Sequence, residues 1–299
     1  MTPSADGRRG PIARPPAPFV VGVGRSGTTL LRMMLDAHSS LAIPSETNFA
    51  PAVRAFERDG PDAAVERIVH NVLWDDYNMP ADELERRVEL RRAGDVGEVL
   101  RTFYELYAEL RGKERWGDKS PYYVAVMTQI EEILPEARFV HVVRDGRDVA
   151  LSTIPLWFGP SDVAGAAREW SERLASARLQ AQQLSFYTEV RYEDLVRDPA
   201  SVLQRICAFL ELEWEPSMLE YHRDAVRRLS AELGDARLEG RLVSRDERLA
   251  IHRLLDRPPQ RERIERWRAH MDAADLQTFE SIAASALEEF GYELSILRR

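Results

Sequence analysis

A glycine loop between a strand and a helix is the part of this sequence best suited to chemistry. It runs Gly22-x-x-x-x-Gly27-Thr28-Thr29, the spacing of a P-loop whose backbone N–H groups cradle phosphate. Thr28 stands where a nucleoside triphosphatase carries the lysine that binds the β- and γ-phosphates. The one cation inside the loop is Arg25, three residues earlier. The loop therefore predicts an anion site that departs from the pattern of ATP-hydrolysing proteins.

A second candidate anion site follows an apolar strand at 139–143. Arg144 comes directly after this strand, and Ser152 lies eight residues further on, in the following helix. An arginine at the carboxyl end of a buried strand, with a hydroxyl nearby, can bind phosphate. The alternative is a turn in which Arg144 pairs with Asp145 or Asp148. Taken alone the segment favours the turn, but next to a P-loop without lysine it favours the anion site.

Elements of the right type flank both loops. Apolar, β-branched segments predict strands at 19–23, 139–143 and 187–191, with shorter ones at 115–118 and after Leu41. Helical patterns separate them, which indicates a parallel sheet with right-handed crossovers. We therefore expect an α/β, P-loop-like three-layer fold with a central parallel sheet. Residues 51–112 predict a helical insertion over the active site, and an apolar stripe from Leu276 to Phe290 predicts a helix that Gly291 ends.

The composition excludes several classes of protein. The 299 residues suffice for one core, and we expect a single domain over 19–299 after a disordered tail at 1–18. A net charge of −9 argues against a general nucleic-acid binder. The single cysteine, Cys207, lies in an apolar stripe and is expected to be buried and inert. Neither a signal peptide nor an apolar run of membrane-spanning length is present, so we expect a cytoplasmic protein, whose oligomeric state the sequence leaves open.

Five segments occur in a characteristic order: GVGRSGTTLLRMMLDAH, IPSETNF, GDKSP, FVHVVRDGRDVALS and VRYEDLVRDP. Together they resemble the sulfotransferases that use 3′-phosphoadenosine 5′-phosphosulfate (PAPS), and most closely the tyrosylprotein sulfotransferase branch. The resemblance covers about residues 19–291. It implies an enzyme that moves a sulfuryl group from PAPS to an acceptor hydroxyl, leaves adenosine 3′,5′-bisphosphate, and needs no metal.

The resemblance also implies a set of donor-binding residues. These are Arg25, Ser26, Gly27, Thr28, Thr29, Arg144, Ser152, Tyr192, Ser244 and Arg257. Arg25 and the loop after it would hold the 5′-phosphosulfate, and Arg144 with Ser152 would hold the 3′-phosphate. Arg257, ten residues before Trp267, takes the position of a basic residue in the family's nucleotide-covering loop.

The transfer needs a general base, because the acceptor hydroxyl loses its proton as its oxygen attacks. Glu46 takes the position of the base in this branch of the family, although Pro44-Ser45-Glu46-Thr47 also permits an ordinary residue at a helix start. Lys119 matches a lysine that stabilises charge on the oxygen bridging phosphate and sulfate. Asp118 is the rival base.

Two histidines are further candidates for the base, because cytosolic aryl sulfotransferases use a histidine. His38 follows the P-loop helix and His141 lies within a buried strand, so packing roles are expected for both.

The sequence leaves the acceptor open. Relatives that sulfate peptide tyrosine carry arginines after the base, but this chain has Asn48 and Ala52 at those positions. We expect the hydroxyl of a small molecule, lipid or carbohydrate, with peptide tyrosine as the alternative. Residues 51–112 and the loop around Trp157-Phe158 would select it. The rival functions are a small-molecule kinase with a degenerate P-loop and an inactive nucleotide-binding protein on the same fold.

Overall fold

The structure is a computed structural model that describes residues 14–238 and 240–295. Residues 1–13 of the predicted tail lie outside the described part, and the first strand begins at Ala17. The strands are β1 (Ala17–Gly22), β2 (Leu41–Ala42), β3 (Arg115–Trp116), β4 (Asp118–Lys119), β5 (Ala137–Val143), β6 (Tyr187–Arg191), β7 (Ala236–Leu238) and β8 (Arg241–Val243).

Helices fill most of the chain between the strands. They are α1 (Thr28–Asp36), α2 (Ala50–Asp59), α3 (Pro61–Val69), α4 (Ala81–Arg91), α5 (Val96–Glu109), α6 (Met127–Ile133), α7 (Gly146–Thr153), α8 (Val163–Ala181), α9 (Tyr192–Arg197), α10 (Pro199–Phe209), α11 (His222–Glu232), α12 (Arg245–Ile251), α13 (Trp267–His270) and α14 (Ala273–Glu289). Short 3₁₀ turns lie at Trp74–Tyr77, Pro121–Ala125, Pro216–Glu220, Arg253–Asp256 and Arg261–Arg263.

The central sheet has the order β4-β1-β5-β6, and all of its strand pairs are parallel. This confirms the predicted α/β fold with a central parallel sheet. The predicted strand at 115–118 is divided at Gly117, where a side chain would lie 2.6 Å from the Pro18 ring. The first half, β3, pairs with β2 in a separate parallel ladder, while the second half, β4, joins the central sheet.

The two faces of the sheet support different helix layers. Phe19 and Val21 belong to a core cluster with the helices α2–α5, whereas Val20 belongs to a cluster with Leu31 of α1 and Leu203 of α10. Successive residues of a strand point to opposite faces, so β1 contributes to both cores. Burying each such large apolar side chain contributes about 1.5–3 kcal/mol. The central position of β1 fixes the P-loop at its end.

The helical insertion predicted at 51–112 is present as α2, α3, α4 and α5. An aromatic cluster including Tyr77, Phe103 and Tyr104 packs it against the sheet, with the Tyr77 and Phe103 rings 5.0 Å apart. Asp95 caps α5 by accepting a hydrogen bond from the Glu98 backbone N–H at 2.8 Å. The insertion is therefore folded onto the sheet rather than extended from it.

The C-terminal helix prediction is also confirmed, since α14 buries Phe279 against Trp170 of α8 and ends before Gly291, whose φ is 73°.

Cys207 is buried beside Met218, and burial raises the pKa of its thiol to about 11. A thiol with so high a pKa carries almost no thiolate at neutral pH, which agrees with the inert role predicted. In the described residues, no helix combines the length and apolar character needed to cross a membrane.

Candidate functional site

The P-loop connects the end of β1 to the start of α1. Arg25 has a φ of 68° and Gly27 a φ of 102°, and left-handed residues in such a loop turn backbone N–H groups toward a common centre. A Cβ on Gly27 would lie 2.5 Å from the Tyr192 ring, so the tyrosine closes the loop from behind. The Ser26 hydroxyl is buried and has no hydrogen-bond partner among the described residues. The loop is thus preformed around an anion-sized centre.

The predicted donor-binding residues from three separate motifs meet at this loop. The Arg25 guanidinium donates from Nε to the Ser152 hydroxyl at 3.3 Å. Arg144 donates from Nη1 to the Arg25 carbonyl at 3.0 Å, and its guanidinium carbon lies 4.3 Å from the centre of the Tyr192 ring. Thr28 and Thr29 form the first turn of α1, where helix N–H groups remain unpaired.

The Arg144-Asp145-Gly146-Arg147-Asp148 segment contains two arginines that have different partners. Arg147, not Arg144, makes the close ion pairs, at 2.8 Å to Asp145 and 2.6 Å to Glu280. Arg144 lies 3.8 Å from Asp148, and its buried Nε has no hydrogen-bond partner within the described residues. Arg144 therefore keeps bonding capacity at the loop, as an anion site requires.

A third arginine, Arg263, completes the cationic cluster and was not predicted. Its backbone carbonyl accepts from Arg144 Nη2 at 2.8 Å. Burial, followed by the positive charges of Arg144 and Arg263, lowers the pKa of Arg25. Packing three guanidinium groups together is unfavourable without a counter-anion. The cluster is therefore suited to a polyanion.

Arg257, the predicted member of the covering loop, makes an ion pair with its neighbour Asp256. Its side chain is 50% exposed, and the paired atoms lie 2.5 Å apart. The sequence signal that could have indicated Arg263 is its position four residues before Trp267. The Trp267 backbone N–H donates to Asp148 at 2.9 Å, and this bond holds the chain near Arg263 beside α7.

Glu46 and Lys119 face each other at the end of the sheet. Lys119 Nζ donates to Glu46 Oε1 at 2.8 Å; the Lys119 side chain is 3% exposed and that of Glu46 41% exposed. Burial lowers the pKa of Lys119, and the nearby Glu46 carboxylate opposes this effect. The Tyr77 hydroxyl donates to the Glu46 carbonyl at 3.0 Å. Because α2 begins at Ala50, Glu46 lies ahead of its first turn and the capping alternative has no support.

The Asp118 side chain contacts Thr47 and Tyr104, whereas the Lys119 side chain contacts Glu46. Asp118 is fully buried and accepts hydrogen bonds from the Thr47 hydroxyl and, at 2.7 Å, from the Tyr104 hydroxyl. Burial raises the pKa of Asp118 to about 6, although the hydrogen bonds to Thr47 and Tyr104 oppose the shift. This arrangement joins the Glu46 segment to α5 and favours a structural role.

The other sequence candidates make local contacts. Ser244 forms a capping box with Glu247 at the start of α12, and no hydrogen bond links its side chain to the P-loop among the described residues. His38 Nε2 lies 2.8 Å from the Glu213 carbonyl. His141 Nδ1 lies 2.6 Å from the Tyr187 hydroxyl, and burial lowers its pKa to about 3. Both histidines therefore have packing partners, as expected.

A shallow cleft opens beside Gly24 and Arg25. Tyr122, Phe158 and Arg173 line its outer part. Tyr122 and Phe158 are 58% and 37% exposed, so two aromatic rings are open to solvent at this cleft. An acceptor molecule could approach the P-loop through this cleft.

The helical insertion is tied to the segment that lies over the P-loop. Arg248 of α12 forms two hydrogen bonds to Asp76, at 2.9 and 2.5 Å, and both side chains are nearly buried. Three residues after Arg248, the Ile251 carbonyl accepts from Arg25 Nη2 at 3.3 Å. We refer to residues 244–266 as the covering segment.

The site fits an elongated polyanion such as PAPS. The Ser26 hydroxyl and Arg144 Nε are buried polar atoms without partners among the described residues, and both lie at the loop. In a folded protein such atoms are rare and usually pair with a ligand or water. Within the described part of the chain, no group of three His, Cys, Asp or Glu side chains could hold a metal ion.

The fold and the site define a P-loop-like α/β protein with a cation-rich site for a polyanion. The model of the sulfotransferase family matches residues 16–216, and the chain belongs to this family. The family predicted from the five motifs is thereby confirmed.

Three similar proteins illustrate the family. Protein-tyrosine sulfotransferase A of Caenorhabditis elegans is 27% identical over 69% of this chain and 52% of its own length. Nodulation protein NoeE of Sinorhizobium fredii is 26% identical over 93% of this chain and 66% of its own length. The solved sulfotransferase domain of the Synechococcus PCC 7002 olefin synthase is 25% identical, with a TM-score of 0.60 over 95% of this chain and 98% of that domain. The chain thus spans about half to two thirds of these two curated relatives.

Proposed function

We propose that the protein transfers the sulfuryl group of PAPS to an acceptor hydroxyl and releases adenosine 3′,5′-bisphosphate. The observation that carries the proposal is the cationic cluster of Arg25, Arg144 and Arg263 around a glycine loop that has Thr28 in place of the nucleotide-binding lysine. In this proposal Arg25 would bind the 5′-phosphosulfate of PAPS and Arg144 its 3′-phosphate. A kinase that uses ATP would not need the second anion site at Arg144, because ATP has no 3′-phosphate.

The residues near the loop divide the chemistry between them. Bound PAPS would supply the sulfuryl group and a phosphate leaving group. Glu46 would accept the proton of the acceptor hydroxyl as the new S–O bond forms. Lys119 and Arg25 would stabilise the electron pair that the broken S–O bond leaves on the phosphate oxygen. Ser152 would bind the 3′-phosphate beside Arg144, and Tyr192 would support the loop.

We propose the hydroxyl of a small molecule, lipid or carbohydrate as the acceptor. Asn48 is exposed and Ala52 is 2% exposed, so neither offers a cation to an acidic peptide. The arginine at the cleft mouth, Arg173, already pairs with Glu169 at 2.8 Å. Peptide tyrosine is the alternative, because several curated relatives are named as protein-tyrosine sulfotransferases.

Calorimetry with adenosine 3′,5′-bisphosphate and with ATP plus Mg²⁺ tests the donor. We expect the bisphosphate to bind and to raise the melting temperature, as any ligand of the native state does, and ATP to bind far more weakly. Equal binding of ATP would support the kinase alternative instead. Release of bisphosphate from PAPS is then followed with neutral alcohols, phenols, sugars and acidic tyrosine peptides. Binding without turnover on any acceptor would support the inactive alternative.

A further inference from the structure

His252 occupies a position over the P-loop that none of the five sequence motifs includes. It follows Ile251, whose carbonyl accepts from Arg25 Nη2 at 3.3 Å. Its backbone N–H bonds back to Leu249 at 2.9 Å and its carbonyl accepts from the Leu255 N–H at 3.0 Å. The backbone on both sides of His252 is therefore held in a turn, directly next to a contact of the loop arginine.

The imidazole of His252 has no hydrogen-bond partner among the described residues. This differs from His38 and His141, whose rings contact Glu213 and Tyr187. The His252 residue is only partly buried, so the ring can bond to water or to a ligand. An unpaired ring beside the P-loop has its N–H group available to a ligand.

The charges around the ring keep it uncharged. Burial, followed by the positive charges of Lys119, Arg25, Arg32 and Arg248, lowers the pKa of His252 to about 3. Arg32 and Arg248 are bound to the carboxylates of Glu232 and Asp76, whereas Lys119 and Arg25 belong to the proposed transfer site. A neutral imidazole carries one N–H donor and one acceptor nitrogen.

We infer that His252 donates a hydrogen bond to the transferring sulfuryl group, and this role rests on the proposed function. In the transfer, the S–O bond to the acceptor forms and the S–O bond to the phosphate breaks. The acceptor proton goes to Glu46, and the electron pair of the broken bond stays on the phosphate. His252 keeps its own proton. A fixed, uncharged donor stabilises developing charge without adding a further cation to the cluster.

The test compares His252→Phe with a matched variant, His222→Phe. His222 is also half-buried and has an unpaired Nδ1, but it lies at the start of α11. We expect His252→Phe to lower kcat by about 10²–10³, the usual effect of removing one such donor. Loss of one hydrogen bond should weaken PAPS binding by roughly two- to tenfold, whereas binding of adenosine 3′,5′-bisphosphate, which lacks the sulfuryl group, should not change. His222→Phe should leave all three quantities unchanged.

Calorimetry separates this role from a structural one. Unchanged kcat in His252→Phe overturns the inference, and so does an equal loss of affinity for PAPS and the bisphosphate, which would place the ring on the nucleotide. Should His252→Phe fail to fold, His252→Ala supports the same comparisons. A wild-type protein that binds neither nucleotide would contradict the proposed function itself.

Discussion

Replacing Asp118 by asparagine should change how the stability of the protein depends on pH. The Asp118 carboxyl is fully buried and its pKa is raised to about 6, from an ordinary value of 3.8. The unfolded chain therefore loses this proton at a lower pH than the folded protein. An asparagine has no such proton, so the variant lacks this contribution.

The sign and size follow from the two pKa values. A carboxyl whose pKa is raised on folding makes folding less favourable as the pH rises above its unfolded pKa, and the penalty is complete above the folded pKa. A difference of about 2 pKa units corresponds to about 3 kcal/mol in total. About half of that penalty develops between pH 5 and pH 8.

Urea unfolding of both proteins at pH 5, 6, 7 and 8 measures the effect. The unfolding free energy of Asp118→Asn minus that of the wild type should increase by about 1.5 kcal/mol from pH 5 to pH 8. The amide also buries an NH₂ group at the position of the unpaired Oδ1, at a cost of about 1–3 kcal/mol. Because this cost does not depend on pH, it leaves the increase unchanged. Tyr104→Phe removes a hydrogen bond that lowers the Asp118 pKa. The unfolding free energy of this variant should therefore decrease more steeply with pH than that of the wild type.

A free-energy difference that stays constant across this pH range would refute the reasoning. Turnover provides a second readout, because Asp118 accepts hydrogen bonds from Thr47 and Tyr104 and is not exposed to an acceptor. We expect Asp118→Asn to keep nearly wild-type kcat per folded molecule. A loss of about 10² or more would instead make Asp118 the general base.

Glu46→Gln should lower kcat by about 10²–10⁴ while bisphosphate affinity is kept, because the amide cannot accept a proton; nearly intact kcat would reject Glu46 as the base. Arg144→Ala should raise the KM for PAPS roughly ten- to hundredfold, since a charge-assisted contact of about 1.5–3 kcal/mol is lost; steady-state kinetics with an unchanged KM would reduce Arg144 to a turn residue. Arg263→Ala should weaken bisphosphate binding in calorimetry, whereas Arg257→Ala, at an exposed ion-paired position, should not. If Arg257→Ala weakens bisphosphate binding and Arg263→Ala does not, Arg257 is the nucleotide-binding residue, as the sequence predicts.

The main features of the fold could be predicted because they depend on local patterns. Apolar β-branched runs located β1, β5 and β6 to within two residues at each end. The division of 115–118 could not be predicted, since its two halves pair with two different strands, β2 and β1, that are distant in the sequence. Hairpin β7–β8 was also missed, because its strands are only three residues long.

The candidate site was predictable where its residues lie within compact sequence motifs. Arg25, Arg144 and Ser152 lie in compact motifs and meet as expected. The covering segment has no such motif, so the contact of the Arg263 carbonyl with Arg144 could not be predicted from the sequence. His252 directly follows α12, whose last residue, Ile251, accepts a hydrogen bond from Arg25. Such contacts between distant segments require the folded structure.

The buried pair of Asp76 and Arg248 has a consequence for protein engineering. Asp76 belongs to the insertion expected to select the acceptor, and Arg248 to the segment that covers the donor site. Breaking a buried ion pair by removing one partner costs about 3–5 kcal/mol. A chimera that receives a foreign insertion without a carboxylate at position 76 would leave Arg248 uncompensated. Acceptor specificity in this scaffold is therefore best transplanted by exchanging both segments together.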